Sequence, residues 1–302
     1  MRPQRRNPAK KETPPPFAQK GSPGIIIASG MRRSGSTWMF NALRFILEEH
    51  GYNPYFRFRA IFDPADLKQG VAIIKTHKMV KELAKHADVI ITSHRDLRDV
   101  AASSVRFVRM NAPKIQGTFK KLQDDVLKQK EKADLEEANA GGKGVSGRAF
   151  PNEAATPLAI MRALRLNFRD YKHWAAIADY DMRYEDMVRD PVAEVERLSR
   201  LLKMPVDAQE IVRKVNAISE EAHKSEDKRH QEAKPVGYFR KYHVTDGGFG
   251  TYLKTISENV ATRIERVFGR WQMRQGYGLN HIKPSEVRKP KQPQRPRRKQ
   301  DD

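Results

Sequence analysis

Residues 24 to 45 read GIIIASG, MRRSGST, WMFNALRF, from Gly24 through Phe45, and this stretch decides the fold. Three successive isoleucines, Ile25 to Ile27, predict a buried strand, and Ser36-Thr37 opens an apolar-periodic segment predicted to be helical. Between them lies the glycine-punctuated loop Gly30 to Gly35. A strand, such a loop and a helix start together make a phosphate cradle. Backbone N–H groups of the loop converge, and the helix N-terminus adds partial positive charge. From Gly30 to Thr37 the spacing is G-x-x-x-x-G-x-T, that of a nucleotide-triphosphate loop. Ser36 stands where that loop places its lysine, and no apolar strand ends in an aspartate suited to magnesium. Arg32 and Arg33 bring positive charge into the loop instead.

Outward from this stretch, residues 71–75 (VAIIK) and 88–92 (DVIIT) predict two more buried strands. Residues 53–58 read as a short aromatic strand and 180–184 as another. Helical patterns cover 97–108, 158–178, 191–203, 207–221 and 256–275, with Pro191 at an early helical position. Strands alternating with helices predict an α/β fold, a parallel β-sheet flanked by helices on both faces and P-loop-like in its nucleotide cradle. The charged segment 114–138 and the glycines after it form an insert, 111–156, read either as a lid or as a surface excursion. Residues 1–23 and 283–302 are basic and Pro-rich and are expected to be disordered tails around one domain, 24–282.

The chain holds 58 Lys and Arg against 37 Asp and Glu, a net charge of +21, of which each tail carries +5. The remaining excess suits anionic partners such as nucleotide cofactors, acidic glycans, nucleic acid or a membrane surface. There are no cysteines, which excludes disulfides, thiolate metal sites and cysteine nucleophiles and fits a reducing compartment. No apolar run approaches the length of a membrane span and no secretory signal is evident, so a cytoplasmic protein is expected.

Three polar clusters each follow a predicted strand. The loop itself is the first. Lys75 and His77 close the second strand and, two positions apart, point to one side. A histidine there can accept a proton from a substrate hydroxyl. Arg95 follows the third strand, with Ser103 eight residues on, and an arginine fork beside a hydroxyl matches a second phosphate. In a parallel sheet such strand ends share one edge, where ligands of open α/β folds bind.

Together these residues carry a resemblance. Arg33-Ser34-Gly35-Ser36-Thr37-Trp38, Lys75-Thr76-His77, the run from Arg95 to Ser103 (RDLRDVAAS) and Arg183-Tyr184-Glu185-Asp186-Met187 resemble the ordered motifs of the sulfotransferase family. That family moves a sulfuryl group from 3′-phosphoadenosine 5′-phosphosulfate (PAPS) to an acceptor hydroxyl or amine. The resemblance implies that Arg33, Ser34, Gly35, Ser36 and Thr37 form the 5′-phosphosulfate loop, with Arg33 where the family usually has lysine. It places Trp38 on the adenine, Tyr184 near it, and Arg95 with Ser103 on the 3′-phosphate. It makes His77 the catalytic base, with Lys75 and Arg33 offsetting charge on the sulfuryl group and leaving oxygen, and it implies no metal.

The family's C-terminal R-K-G and G-D-W elements are not intact. This chain has Arg240-Lys241-Tyr242 and, further on, Gly250-Thr251-Tyr252, so that Arg240, Lys241 and His243 all stay open as contacts to the 3′-phosphate. The acceptor stays open among a glycan, a lipid, a small alcohol, a phenol and a tyrosine. Two other classes are weighed against this one. A P-loop nucleotide kinase or hydrolase fits the spacing but not Ser36. A non-catalytic basic nucleic-acid-binding protein fits the charge but shows no reader motif. Oligomeric state leaves no mark in the sequence.

Overall fold

The structure is a computed structural model that describes residues 14–19, 22, 24–58, 70–109, 157–224 and 248–288. Arg240, Lys241, His243, the 111–156 insert and the outer parts of both tails lie outside the described residues.

Among the described residues five parallel strands form the sheet: β1 (Ile25–Ala28), β2 (Tyr55–Phe58), β3 (Ala72–Lys75), β4 (Val89–His94) and β5 (Tyr180–Arg183), in the order β2-β3-β1-β4-β5. β1 lies at the centre, paired with β3 and β4. The chain leaves β1 toward one side of the sheet and β4 toward the other, so a crevice opens between their carboxyl ends.

The strands form because alternate residues each find a dry partner. Ile26, Ala28, Ile73, Ile91 and Met182 face the core made with α1 (Ser36–Glu49), α6 (Pro191–Leu202) and α7 (Ala208–Lys224). Ile25, Ile27, Ala72, Ile74 and Ile90 face the opposite way, onto Leu83 of the short helix α2 (Lys81–Lys85) and Trp174 of α4 (Pro157–Ala175). Burial on both faces is why these strands read as unbroken apolar runs. A third core joins α3 (97–109), α4 and α8 (Glu258–Arg274) through Leu97, Val105, Leu164, Ile264 and Phe268.

Several boundaries differ from expectation. β4 runs two residues past Thr92, because Ser93 and His94 still pair with Met182 and Arg183 of β5. Tyr184 does not end that last strand; it opens a further helix, α5 (Tyr184–Arg189). Order also extends into both expected tails. Pro15 is buried and Phe17 packs on the first core, while the Asp88 carboxylate accepts bonds from Gln19 N–H, Ser22 O–H and Ile25 N–H. At the other end Pro284–Glu286 form a 3₁₀ turn, Val287 packs over Gly269, and Arg288 N–H donates to the Arg266 carbonyl at 2.9 Å. Single apolar anchors in basic, Pro-rich surroundings have no periodicity to betray them.

A buried charge network fixes α3 to α8. Arg98, 3 % exposed, forks onto both oxygens of Asp96 and reaches Glu265 Oε1 at 2.5 Å. Glu265 also accepts the backbone N–H of Asn280 and His281. Asp96 accepts from Gln272, and its own N–H donates to Glu185, whose other oxygen accepts the Tyr277 hydroxyl. Deleting one partner leaves the other charge buried without compensation. Glu265→Ala is expected to lower unfolding free energy by about 3–5 kcal/mol, measured by denaturant titration; a loss below about 1 kcal/mol would show that the network is not structural.

Candidate active site

The loop after β1 lies directly on β4. Ser29 N–H donates to the Ile91 carbonyl at 2.8 Å and Met31 N–H to the Ser93 carbonyl at 2.9 Å, so the ladder runs on past the strand. Gly30 has φ 137°, and a Cβ there would stand 2.8 Å from Ser93 backbone atoms. Only glycine fits that approach. The fully buried Ser34 hydroxyl donates to the Met31 carbonyl at 2.7 Å and meets the Ser93 hydroxyl at 2.8 Å. Its side chain therefore faces inward and braces the loop. On the outer side Asn167 of α4 holds both backbone groups of Arg32, accepting its N–H at 2.8 Å and donating to its carbonyl.

Gly35 caps α1 in the left-handed region at φ 79°, packed against Tyr184 and Met187. No side chain caps the helix and no acidic residue sits in its first turn, so its N-terminal partial charge is not offset from within. Ser36 is buried at the first helical position. Trp38 is half-buried and packs on the first core.

Lys75 and His77 both come to this loop. Lys75, 3 % exposed, donates its ammonium to Thr37 Oγ1 at the start of α1. His77 Nδ1 lies 2.8 Å from the Gly30 carbonyl. A carbonyl only accepts, so Nδ1 carries the proton and Nε2 is the basic nitrogen. Burial of the ring, then the charge of Lys75, push His77 down from 6.5 to about 3. The imidazole is thus neutral at ordinary pH, the protonation state that a general base needs.

A second polar cluster forms at the end of β4. Arg33, a non-glycine residue at φ 71°, turns its side chain toward α3, where Nε donates to Ser103 Oγ at 2.9 Å and the guanidinium lies 5.0 Å from the Phe107 ring centre. Arg95 is buried, donating to the Arg33 carbonyl at 3.3 Å and to the Gly248 carbonyl at 2.6 Å, with its guanidinium 4.0 Å over Tyr184. Its buried Nε has no hydrogen-bond partner among the described residues. Asp99 holds the same 248–250 turn by accepting Gly250 N–H at 2.7 Å, and burial pushes its carboxyl up. Burial, then Arg95 and Arg106, lower Arg33 to about 10.

The structure thus brings Arg33, Ser34, Gly35, Ser36, Thr37, Lys75, His77, Arg95, Ser103 and Tyr184 to one sheet edge. Arg33 sits with Ser103 rather than beside His77 in its described contacts. Asn167 and Arg106 belong to this neighbourhood and carry no motif that marks them. Arg106 stands three residues after Ser103, a helical spacing that could have found it; nothing local marks Asn167. Among the described residues no group of His, Cys, Asp or Glu is placed to hold a metal, and no helix is long and apolar enough to cross a membrane.

Comparison with known proteins adds a family. The family model described as sulfotransferase domain matches residues 23–276. No curated protein matches the sequence. Among solved structures, a mouse sulfotransferase complexed with PAP is similar at 14% identity and TM-score 0.48, over 80% of this chain and 84% of that one. A retinol dehydratase in complex with androsterone and inactive cofactor PAP is similar at 14% identity and TM-score 0.48, over 87% and 84%. Family membership rests on the match over residues 23–276 and not on these distant likenesses.

Because its His77 is held neutral, the folded protein should bind fewer protons than the unfolded chain between pH 6.5 and about 3. Wild type is therefore expected to lose stability relative to His77→Ala as pH falls through that window, with no further divergence below it. Parallel stability curves, or an imidazole NMR inflection near 6.5, would refute the neutral assignment.

Proposed function

The chain belongs to the sulfotransferase family, and on that premise we propose how its own residues carry out the transfer. PAPS is the donor that fits: it supplies a sulfuryl group on a phosphate leaving group together with a phosphate on the ribose. The observation that carries this reading is the convergence at one sheet edge of a glycine-built anion loop, a neutral histidine with a basic Nε2, and an arginine–serine subsite.

In this reading the loop from Ser34 to Thr37 and the start of α1 receive the 5′-phosphosulfate, and Arg95 with Ser103 receives the ribose phosphate. The buried Arg95 Nε supplies a donor suited to that group. Trp38 and Tyr184 border the adenine. His77 Nε2 takes the proton from the acceptor hydroxyl as its oxygen attacks sulfur, and the Gly30 carbonyl holds the ring in the needed tautomer. Lys75, lodged at Thr37, places positive charge where the leaving oxygen gains its negative charge. Arg33 stays charged at neutral pH and acts by charge, not by proton donation. Alignment of nucleophile and leaving group supplies the rest.

The acceptor class is a hydroxyl on a glycan, lipid, small alcohol or phenol, and an amine is compatible with the same base. Arg240 and Lys241 remain proposed contacts to the ribose phosphate, and residues 24–282 the proposed domain. A cytoplasmic location fits the cysteine-free sequence. The family match gives no support to the kinase, hydrolase and nucleic-acid readings.

Transfer of labelled sulfate from PAPS to a panel of hydroxyl acceptors tests the proposal. His77→Ala is expected to keep nucleotide affinity and to lose transfer by roughly 10²–10⁴-fold; retained turnover would remove His77 as the base. Arg33→Lys should keep most activity and Arg33→Met should not, as read by the same assay. A fully active methionine variant would end the role given to that charge.

A further inference from the structure

Helix α4 packs by one side. Ile160, Met161, Leu164, Tyr171 and Trp174 are buried there, and the Phe168 ring lies 5.1 Å from those of Phe268 and Trp271 in α8. The other side carries Leu158, Arg162, Arg165, Arg169 and Lys172, spaced four, three, four and three residues apart. That spacing aligns them in one stripe along the helix. Leu166 and His173 lie beside the stripe, each four residues after one of its arginines, and all these side chains are exposed. No acidic residue falls within it. Asp170, at its margin, meets Arg169 at 3.5 Å, and among the described residues no ion pair joins Arg162, Arg165 or Lys172.

Arginines on a solvated helix face are ordinary, and charge alone does not set this one apart. Its apolar side chains do. Leu158 is 75 % exposed, Leu166 49 % and Ile177, one turn past His173, 46 %, so that three of the six large exposed apolar side chains among the described residues stand on this one helix. A soluble polyanion such as a glycan or a nucleic acid would engage the arginines and leave the leucines wet, and so would an acidic protein face. A bilayer with anionic headgroups meets both. Phosphates take the guanidinium groups, while the apolar side chains between them enter the boundary of the acyl region. The net charge of +21 draws the whole chain toward such a surface. Because its other side is fixed in the core, α4 presents the stripe already ordered.

We propose that the outer face of α4 is a docking surface for an anionic phospholipid bilayer, with Arg162, Arg165, Arg169 and Lys172 on the headgroups and Leu158 and Leu166 inserted between them. The helix lies flat on the membrane and does not cross it. This surface is independent of the reaction proposed above.

The test is co-sedimentation of the full chain with vesicles of phosphatidylcholine alone and of phosphatidylcholine mixed with phosphatidylglycerol, alongside binding to heparin as a soluble polyanion. Wild type is expected on the mixed vesicles and not on the neutral ones. Replacing Arg162, Arg165 and Arg169 together by Gln should weaken partitioning to the mixed vesicles about 10²-fold, and replacing the three by Lys should keep most of it. A control that removes the same charge from the far side of the sheet, Arg200→Gln with Lys203→Gln and Arg213→Gln, should change it little. Leu158→Ser with Leu166→Ser should weaken vesicle binding about tenfold and leave heparin binding unchanged. Both basic tails are present in every variant, so they cannot account for such differences. Absence of wild type from the mixed vesicles, or equal losses in the α4 and control triples, would overturn the inference. Vesicle binding by the serine pair equal to that of wild type would make the stripe a site for soluble polyanions and overturn it as well.

Discussion

Gly30 lies so close to Ser93 that no side chain fits between them, and the rest of the site depends on that contact. It lets the loop after β1 lie along β4, continue the ladder through Ser29 and Met31, and lock through the paired hydroxyls of Ser34 and Ser93. With the loop fixed there, the Gly30 carbonyl comes to His77 and the start of α1 comes to Lys75. Arg33 is then delivered to α3 and its carbonyl to Arg95. One close backbone approach thus sets His77, its tautomer, Arg33 and Arg95 relative to each other, on strands too well packed to yield.

Charge is distributed unequally around this edge. Behind it, Arg98 is bound by Asp96 and Glu265, and Glu185 accepts from backbone and tyrosine donors, so that layer is tied together by hydrogen bonds. In front, Arg95 and Arg106 depress the proton affinity of Arg33, as Lys75 does that of His77. The same sign of shift on both groups has a shared origin in burial beside other cations. That hydrogen-bonded network holds α3 and α8 in place behind the cations that border the loop.

Much of this was legible in the sequence, because a parallel sheet buried on both faces writes its strands as apolar runs. GIIIASG, VAIIK and DVIIT each mark a strand, and the polar residues after each mark the shared edge. The second direction of the loop was not legible. Ser34 reads as a ligand residue from its place in the motif, yet its hydroxyl serves the interior, since only the pairing with Ser93 across the sheet reveals where it turns. Asn167 holds the loop from a helix 135 residues away in sequence, and no local pattern encodes so distant a bond. Phe17 and Val287 were likewise hidden, each one apolar residue in a basic segment whose partner lies elsewhere in the chain.

The backbone at Arg33 leads further. A left-handed conformation at a side chain larger than glycine costs about 1–2 kcal/mol, and here φ is 71°. Glycine would relieve that strain, so the backbone alone gives a reason to discard the arginine. Selection acting on thermal endurance alone should therefore drift toward glycine at position 33, whereas selection that includes turnover should hold a basic residue there. The residue recovered at this one position would report which of the two pressures a population of variants had been under.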